Sequence, residues 1–466
     1  MDDARPATPS LTDIERLPGP RGWPLLGNLP DIDLPRIHQV LERWAVEYGP
    51  VFKLRLGRKT IVCITDLAAV RQILRDRPRL FSRSRRLEPV FRELGVCGVF
   101  AAEGESWKRQ RRLWSKALNI HQVTPFLADM AAITLKLQKR WAASAGQAVD
   151  VQDDLMRYTV DVVTRFAFGF DGNTLEQEGD VIQQHLHHIF PMVARRVNAP
   201  FPYWQYLQLP ADRKLTRALQ AVRSFVEQRI AEARTRIAAN PHLTEQPGNL
   251  IEAFIVSRDD DGVGLSDEEI YANTITALLA GEDTTANTLA WMIHFLALHP
   301  QAQQRLQDEA DQAGGADSEA LQRYIDALTG ETLRLKPVAP IVGGTALEDV
   351  ELAGYRFPAG TDFLVASRVN ALKDSEFPEA AAFKPERWLE PAQPHFVQSP
   401  PMPFGGGQRI CPGRNLAQAE IRAVATMLAR HFSVRQAEGG PPVRERYGFT
   451  MGPENLRVVF EARAGI

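Results

Sequence analysis

A short glycine-rich segment near the C-terminus holds the residue types with the most evident chemistry. It reads Phe404-Gly405-Gly406-Gly407-Gln408-Arg409-Ile410-Cys411-Pro412-Gly413, so an arginine lies two residues before a cysteine that glycines surround. A thiolate is a strong electron donor to a metal, and glycines let the backbone approach a flat cofactor and direct N–H groups at the sulfur. The segment predicts a metal-binding thiolate at Cys411. The alternative is a glycine-rich turn around a buried structural cysteine.

The longest predicted helix begins after Ser266, a typical N-terminal cap with Glu269 at the third helical position. Its apolar pattern continues to about His299, and Pro300 is expected to end it. A helix of roughly 32 residues is about 48 Å long at 1.5 Å per residue. A helix of this length must cross the whole molecule.

The middle of this helix reads Ala280-Gly281-Glu282-Asp283-Thr284-Thr285. A glycine inside a helix costs about 1 kcal/mol relative to alanine, so a flat ligand packed against the backbone is expected to offset it. Two adjacent threonines also disfavour a plain helix, because their hydroxyls compete for backbone carbonyls. An acid beside a hydroxyl gives protons a short path, which indicates acid–base chemistry. The alternative is a slightly irregular buried helix.

Both segments match motifs of one family. The pattern Phe-x-x-Gly-x-Arg-x-Cys-x-Gly resembles the haem-thiolate signature of the cytochrome P450 family, and the helix matches that family's motif Ala/Gly-Gly-x-Asp/Glu-Thr. The resemblance extends from Leu17 to the end of the chain. It implies haem b (iron protoporphyrin IX) as the cofactor, with Cys411 as the metal ligand. It also implies that Asp283 and Thr284 are catalytic residues, which deliver protons while O2 is activated.

The resemblance implies further residues around the haem. Trp107 and Arg111 lie four positions apart on one face of a predicted helix, and the family uses such a pair to hold a haem propionate. Many relatives carry another propionate-binding arginine where this chain has Gly344, so we expect anchoring through fewer contacts. The expected cofactor-binding set is Trp107, Arg111, Ala280, Gly281, Phe404, Gly407, Arg409 and Gly413.

A buried ion network is also implied behind the haem. Glu331 and Arg334 stand three residues apart, and Arg387 follows in a second motif. On an exposed helix such a pair is worth only about 0.2–0.5 kcal/mol. The resemblance joins all three into one buried structural network, which is costly to break because removing a member leaves an uncompensated charge.

The substrate pocket is expected to be apolar and to bind a lipophilic small molecule. Gly343 and Gly344 remove bulk near the expected haem edge, so we predict that a larger or flatter substrate is admitted there. The expected lining residues are Val90, Phe91, Val96, Val99, Phe100, Val338, Ile341, Val342, Gly343 and Met451.

The remaining elements predict a mainly α fold with a minor β-sheet, as in the cytochrome P450 fold. A helix is predicted over Ile37–Tyr48, followed by a hairpin of Val51–Leu56 and residues 60–64. A second, smaller set of strands is predicted at residues 350–352 and 361–365. We expect a polar tail over residues 1–16 and a single haem-thiolate domain over residues 17–466.

Net charge, cysteine content and a histidine cluster bear on the partners, the compartment and the metals to be expected. The 466 residues carry a formal net charge of -2, so no global field indicates a nucleic-acid partner. The three cysteines suit a reducing compartment, with Cys63 expected in a buried strand and Cys97 in a loop without an assigned role. Two of the clustered histidines His185, His187 and His188 are spaced to bind a metal weakly, but an exposed polar face is the simpler interpretation.

The two ends of the chain indicate its cellular location and its electron donor. The polar N-terminus predicts no signal peptide and no membrane span, hence a soluble cytoplasmic protein, expected to be a monomer. No flavin or iron–sulfur module follows Cys411, so electrons are expected from a separate ferredoxin or flavodoxin with its reductase. A basic cluster near the cysteine is expected to dock an acidic carrier: Lys108, Arg109, Arg112, Lys116 and Arg414.

The predicted function is a monooxygenase of secondary metabolism, which inserts one oxygen atom from O2 into a lipophilic molecule by hydroxylation or epoxidation. A peroxide-driven peroxygenase is a second interpretation, and a haem-thiolate sensor or ligand-binding module is a third. Neither alternative needs the Asp283–Thr284 pair, and its presence favours the monooxygenase.

Overall fold

The computed structural model describes residues 13–85, 87–118, 120–177, 189, 191–193, 195–197, 199, 201–312, 318–389 and 402–463. These residues form two compact units. The first unit takes in the described residues of Met1–Leu87, Pro340–Ala380 and Phe404–Ile410. The second takes in those of Glu88–Ala339, Ala381–Pro403 and Cys411–Ile466. A single haem-thiolate domain stays a prediction.

Helices make up most of the described chain. Their bounds are α1 Ile37–Tyr48, α2 Leu67–Arg75, α3 Leu87–Glu93, α4 Gly104–Ala117, α5 Ile120–Ala143, α6 Val151–Phe168, α7 Pro210–Ala239, α8 Leu250–Val256, α9 Asp267–Leu298, α10 Pro300–Gln312, α11 Glu319–Leu335, α12 Arg368–Ala371 and α13 Arg414–His431. Short 3-10 turns include Pro385–Trp388 and Gly407–Arg409.

Strands are short and grouped in small sheets. Their bounds are β1 Val51–Leu56, β2 Lys59–Ile64, β3 Phe81–Ser82, β4 Ala148–Asp150, β5 Ile341–Ala346, β6 Val350–Leu352, β7 Tyr355–Phe357, β8 Asp362–Ala366, β9 Phe432–Gln436, β10 Arg444–Tyr447, β11 Met451–Glu454 and β12 Arg457–Ala462. The predicted mainly α class with a minor sheet component is confirmed.

The first unit is built around a mixed five-stranded sheet in the order β1-β2-β8-β5-β3. The predicted hairpin is present, with Val51 opposite Ile64. The prediction of a separate second set of strands is wrong in part. β8 pairs in parallel with β2, with Val62 opposite Phe363, and β6 pairs only with β7. Val62 and Phe363 are both buried, so the burial of apolar side chains stabilises the pairing of these two strands. The strands lie about 300 residues apart in the sequence, and the local sequence pattern does not specify that they pair.

The predicted first helix packs on this sheet. α1 has the predicted bounds, and Gly49 ends it with a φ of 93°, a conformation that favours glycine. Leu41 and Trp44 of α1 share a buried apolar cluster with Phe52 and Cys63 of the hairpin. Cys63 is therefore a buried strand residue, as predicted.

The second unit is organised around α9. Ser266 Oγ accepts a hydrogen bond from the Glu269 N–H at 3.2 Å, and Glu269 Oε2 accepts one from the Ser266 N–H at 2.9 Å. This is the predicted capping box, and the helix runs the 32 residues predicted from its pattern. Most of its side chains are buried on all sides, because α6, α11 and α13 pack around it. α9 is therefore the central helix of this unit.

Within the described residues, no helix is both long enough and apolar enough to span a bilayer.

Candidate active site

Cys411 lies directly before α13, in the second unit. Burial raises the pKa of its thiol, while the N–H of Gly413 and the positive charges of Arg111 and Arg414 act in the opposite direction. The side chain nevertheless has exposed surface. The Gly413 N–H and the two guanidinium groups thus favour the thiolate, against the larger opposing effect of burial.

Cys411 does not belong to a group of metal-binding side chains. Across the described ranges, no three His, Cys, Asp or Glu residues come together as ligands for a bare metal ion. The histidine cluster at His185, His187 and His188 lies outside the described residues.

Helix α4 brings a cation close to the sulfur. Trp107 is buried, and Arg111, one turn later on the same face, is half-buried. Desolvation lowers the pKa of Arg111, and the nearby Cys411 opposes this effect. Among the described residues, no carboxylate forms an ion pair with the Arg111 guanidinium. A half-buried guanidinium of this kind is suited to an anionic group of a cofactor.

The glycine-rich segment that precedes Cys411 belongs to the first unit. Gly407 has a φ of 62°, and a Cβ at this position would overlap the backbone oxygen of Arg75, with that of Leu74 at 2.9 Å. Only glycine fits here without strain. Arg409 follows in the 3-10 turn Gly407–Arg409, and both Arg409 and Phe404 are half-buried.

The middle of α9 has one open face. Ala280 is exposed, and Gly281, Asp283 and Thr284 are half-buried, although the helix around them is otherwise buried. The Thr284 hydroxyl donates to the Ala280 carbonyl at 2.8 Å. Ala280 and Thr284 are four residues apart, so they lie on the same side of the helix. The hydroxyl is therefore presented on the accessible side of α9.

Gly281 lies where two helices pack closely together. A Cβ at this position would overlap Cγ2 of Val163 on α6. The missing side chain therefore lets two helices approach closely, and this contact by itself accounts for a glycine inside α9. The sequence gives no signal for this contact, because Val163 lies more than a hundred residues away. Packing of a flat ligand against Gly281 stays a prediction.

Asp283 is an acid with an unusually high proton affinity. Burial raises the pKa of its carboxyl from the ordinary value to about 6, and a hydrogen bond from Thr450 acts in the opposite direction. The Thr450 hydroxyl lies 3.5 Å from Asp283 Oδ2. The sequence predicts no contact between Thr450 and Asp283, although the neighbouring Met451 was expected in the pocket.

The structure brings Glu331, Arg334 and Arg387 together. Arg334 donates to both oxygens of Glu331 at 2.8 Å, and Arg387 Nε donates at 3.0 Å. Both members of the Glu331–Arg334 pair are fully buried. Two donors were missed, the Lys384 N–H at 2.9 Å and the Trp388 indole at 3.0 Å. Burial alone would raise the pKa of Glu331, but these bonds and the Arg334 charge hold it below its ordinary value.

The expected pocket residues fall in both units. In the second unit, the rings of Phe91 and Phe100 are 5.7 Å apart, and those of Phe100 and Phe449 are also 5.7 Å apart. The Met451 N–H donates to the Val338 carbonyl at 2.8 Å. The remaining members of that unit are buried, namely Val90, Val96 and Val99. Those of the first unit are half-buried in β5: Ile341, Val342 and Gly343.

The basic residues of α4 are held by nearby acids and carbonyls. Lys108 pairs with Glu105 at 2.6 Å, and Arg112 pairs with Asp260 at 2.8 Å. Arg109 pairs with Glu269, and Lys116 Nζ donates to the Arg258 carbonyl at 2.9 Å. That they gather with Arg414 near Cys411 and dock an acidic carrier stays a prediction. The charges that act on the thiol are those of Arg111 and Arg414.

The helical fold and the accessible Cys411 sulfur beside cations are the features of a haem-thiolate protein. The chain belongs to the cytochrome P450 family, whose family model matches residues 17–460. This is a family of oxidoreductases that use haem b.

Three relatives illustrate the similarity. The chain is 28% identical to the self-sufficient cytochrome P450 monooxygenase CYP505E5 of Aspergillus niger, over 98% of this chain and 44% of that protein. It is 27% identical to CYP505E4 of Penicillium expansum, another self-sufficient cytochrome P450 monooxygenase, with the same coverage. It is 26% identical to LUTEIN DEFICIENT 5, chloroplastic, of Arabidopsis thaliana, over 87% of this chain and 70% of that protein. The chain thus spans less than half the length of the first two.

The residues of the second unit fit haem b. Cys411 offers an accessible sulfur, Arg111 offers a half-buried cation for a propionate, and Ala280 leaves one face of α9 open. Cys411 would bind the iron, and Arg111 with Trp107 would hold a propionate.

Proposed function

We propose that this protein is a monooxygenase that inserts one atom of O2 into a lipophilic small molecule, by hydroxylation or epoxidation. The observation that supports this proposal is the Asp283–Thr284 pair on the open face of α9, in the same unit as Cys411. When bound, haem b supplies the oxidising chemistry, and its thiolate ligand favours cleavage of the O–O bond.

The chain's own residues handle the protons. A carboxyl with a pKa of about 6 both takes up and releases protons near neutral pH, which suits Asp283 to acid–base catalysis. The Thr284 hydroxyl is held by the Ala280 carbonyl at 2.8 Å, so its oxygen has a fixed position from which to accept and pass on a proton. Asp283 would therefore supply the proton, and Thr284 would direct it.

The first experiment tests the cofactor. The wild-type protein and the Cys411→Ser variant are expressed with ample porphyrin precursor, reduced and exposed to carbon monoxide. A Soret band typical of thiolate ligation is expected for the wild type only. A colourless wild type, or an unchanged spectrum in the variant, would exclude the proposal.

The second experiment separates the three candidate functions. Thr284→Ala in the reduced, substrate-supplied enzyme is expected to lower product per electron at least tenfold and to release peroxide instead. A peroxygenase would form product from added peroxide equally well with or without this hydroxyl. A sensor would show no product in either form and the same ligand affinity.

We also propose that electrons come from a separate ferredoxin or flavodoxin with its reductase. Two of the relatives are named self-sufficient, and this chain matches 44% of each. Reduction of the purified chain by an added ferredoxin with its reductase, or by a flavodoxin system, is expected to support turnover. Failure of both, with turnover restored by fusion to a reductase, would refute this part. The cytoplasm as location, a monomeric state and a role in secondary metabolism belong to the same proposal and rest on the sequence.

A lipophilic substrate is the final part of the proposal. The rings of Phe91, Phe100 and Phe449 pack in tilted and edge-to-face contacts, and together with the buried Met451 they support an apolar binding surface. A lipophilic library is screened for compounds that shift the haem band to the blue. Gly343→Phe is expected to abolish the shift for bulky compounds and to preserve it for small ones. Identical binding of every compound would contradict a role for Gly343 in admitting large substrates.

A further inference from the structure

We propose that Thr450 is a positioning residue for the Asp283 carboxylate, and that Asn287 and Gln152 in turn hold Thr450. This inference rests on the proposed function, since Asp283 is its proton donor. All four side chains belong to the second unit: Gln152 to the first turn of α6, Asp283 and Asn287 to α9, and Thr450 to the residue before β11.

The four side chains form a hydrogen-bonded chain with a single direction. Gln152 Nε2 donates to Asn287 Oδ1 at 2.8 Å, and Asn287 Nδ2 donates to Thr450 Oγ1 at 3.2 Å. Thr450 Oγ1 donates to Asp283 Oδ2 at 3.5 Å. Because the Asn287 oxygen is occupied by Gln152, its NH2 group faces Thr450. The Thr450 oxygen then accepts that bond, which leaves its own proton to point at the carboxylate.

The packing around these hydrogen-bonded side chains leaves space for the two amides. A Cβ at Gly452 would overlap Asn287 Oδ1 and would lie 2.8 Å from Gln152 Nε2. The glycine on β11 therefore makes room for the two amides to meet. Asn287 is buried, so its amide depends on these protein partners rather than on water.

The contact with the acid is a weak one. A typical O–H···O bond is roughly 2.5–3.0 Å long, and the Thr450–Asp283 contact is longer. Thr450 therefore favours the ionised carboxylate only slightly, and burial still dominates the pKa of Asp283.

Among the residues that the structure describes, the other charged groups near this part of α9 do not hydrogen-bond to the Asp283 carboxylate. Glu282 on α9 is a buried neighbour whose own pKa is raised, first by burial and then by Asp283. On α6, Asp153 pairs with Arg157 at 2.9 Å. The next residue of α6, Asp154, pairs with Arg140 of α5 at 2.5 Å. From the turn before β11 the neutral Thr450 hydroxyl faces Asp283, and Glu454 at the end of β11 pairs with Arg446 at 4.0 Å.

The test uses the haem-loaded protein and three variants. Thr450→Val removes the hydroxyl at nearly constant volume, and Thr450→Ser restores it. Thr274→Val is the matched control, because Thr274 is also buried in this unit but donates to the Ile270 carbonyl of its own helix at 2.8 Å. Protonation of Asp283 is followed by its carboxyl infrared band against pH, with Asp283→Asn subtracted. Product per electron is measured in the same preparations.

Thr450→Val is expected to move the midpoint of the carboxyl band upward by roughly half to one pH unit, the size of one weak hydrogen bond. It is also expected to lower product per electron several-fold, while Thr450→Ser and Thr274→Val behave as the wild type. An unchanged midpoint in Thr450→Val, with an intact carbon monoxide spectrum, overturns this inference alone. Loss of the thiolate spectrum in the wild type would instead refute the proposed function.

Discussion

Val163 on α6 occupies the space that a side chain at Gly281 would need on α9. The two helices meet at this point so closely that a single Cβ would overlap a methyl group of Val163. The glycine beside the acid–alcohol pair therefore sets the distance between two buried helices. Its contribution to the site is indirect, because the position of α9 fixes where Asp283 and Thr284 lie.

Gly281→Ala is expected to destabilise the protein by about 1–3 kcal/mol, because overpacking outweighs the roughly 1 kcal/mol that alanine gains in a helix. Val163→Ala costs stability by itself but is expected to relieve the overlap in the double variant. Chemical denaturation of the four forms gives the coupling energy. A Gly281→Ala protein more stable than the wild type would contradict the contact.

Arg334→Met is expected to destabilise the protein by about 3–5 kcal/mol, because it removes the fully buried cation that donates to both Glu331 oxygens and leaves only Arg387 to pair with this carboxylate among the described residues. Asp326→Asn is the control, since Asp326 and Arg422 form an exposed pair, and it should cost less than about 1 kcal/mol. The pKa of Glu331 lies below its ordinary value, so its contribution is present above that ordinary value and is lost as pH falls through the folded value. Unfolding measured from pH 7 to pH 3 should show this loss. Equal costs for the two variants would rule out a special role for the buried network.

Asp283→Asn is expected to stabilise the protein at pH 8 by about 2–3 kcal/mol and to have little effect at pH 4. The folded pKa of Asp283 is raised to about 6, so the folded state binds the extra proton between pH 4 and 6. Stability therefore falls as pH rises through this range, and a neutral amide avoids the penalty. Denaturation of both proteins at several pH values tests the sign. A gain at pH 4 that equals the gain at pH 8 would show that ionisation is not the cause.

Gly407→Ala is expected to cost more stability than Gly439→Ala. Both glycines have positive φ, 62° and 74°, so each alanine carries a backbone cost of roughly 1–2 kcal/mol. A Cβ at Gly439 meets nothing within 4 Å, whereas one at Gly407 would overlap the Arg75 carbonyl. The difference in melting temperature between the two variants measures the destabilisation that the steric overlap alone causes. Equal melting temperatures would mean that the end of α2 moves aside without loss of stability.

Local rules account for what the sequence alone determined. The capping box at Ser266, the end of α1 at Gly49 and the hairpin from Val51 follow from residues within a few positions of each other. The chemical motifs are equally local, since Cys411 and Gly413, or Asp283 and Thr284, are neighbours along the chain. For this reason the element bounds, the family and the cofactor could be predicted.

Only the tertiary structure decided which distant residues meet. It placed Val163 against Gly281 and Thr450 beside Asp283, and it added Trp388 to the Glu331 network. It also placed β8 next to β2 in one sheet. These contacts depend on burial and close packing between segments that lie far apart in the chain, and no periodicity or spacing in the sequence encodes them.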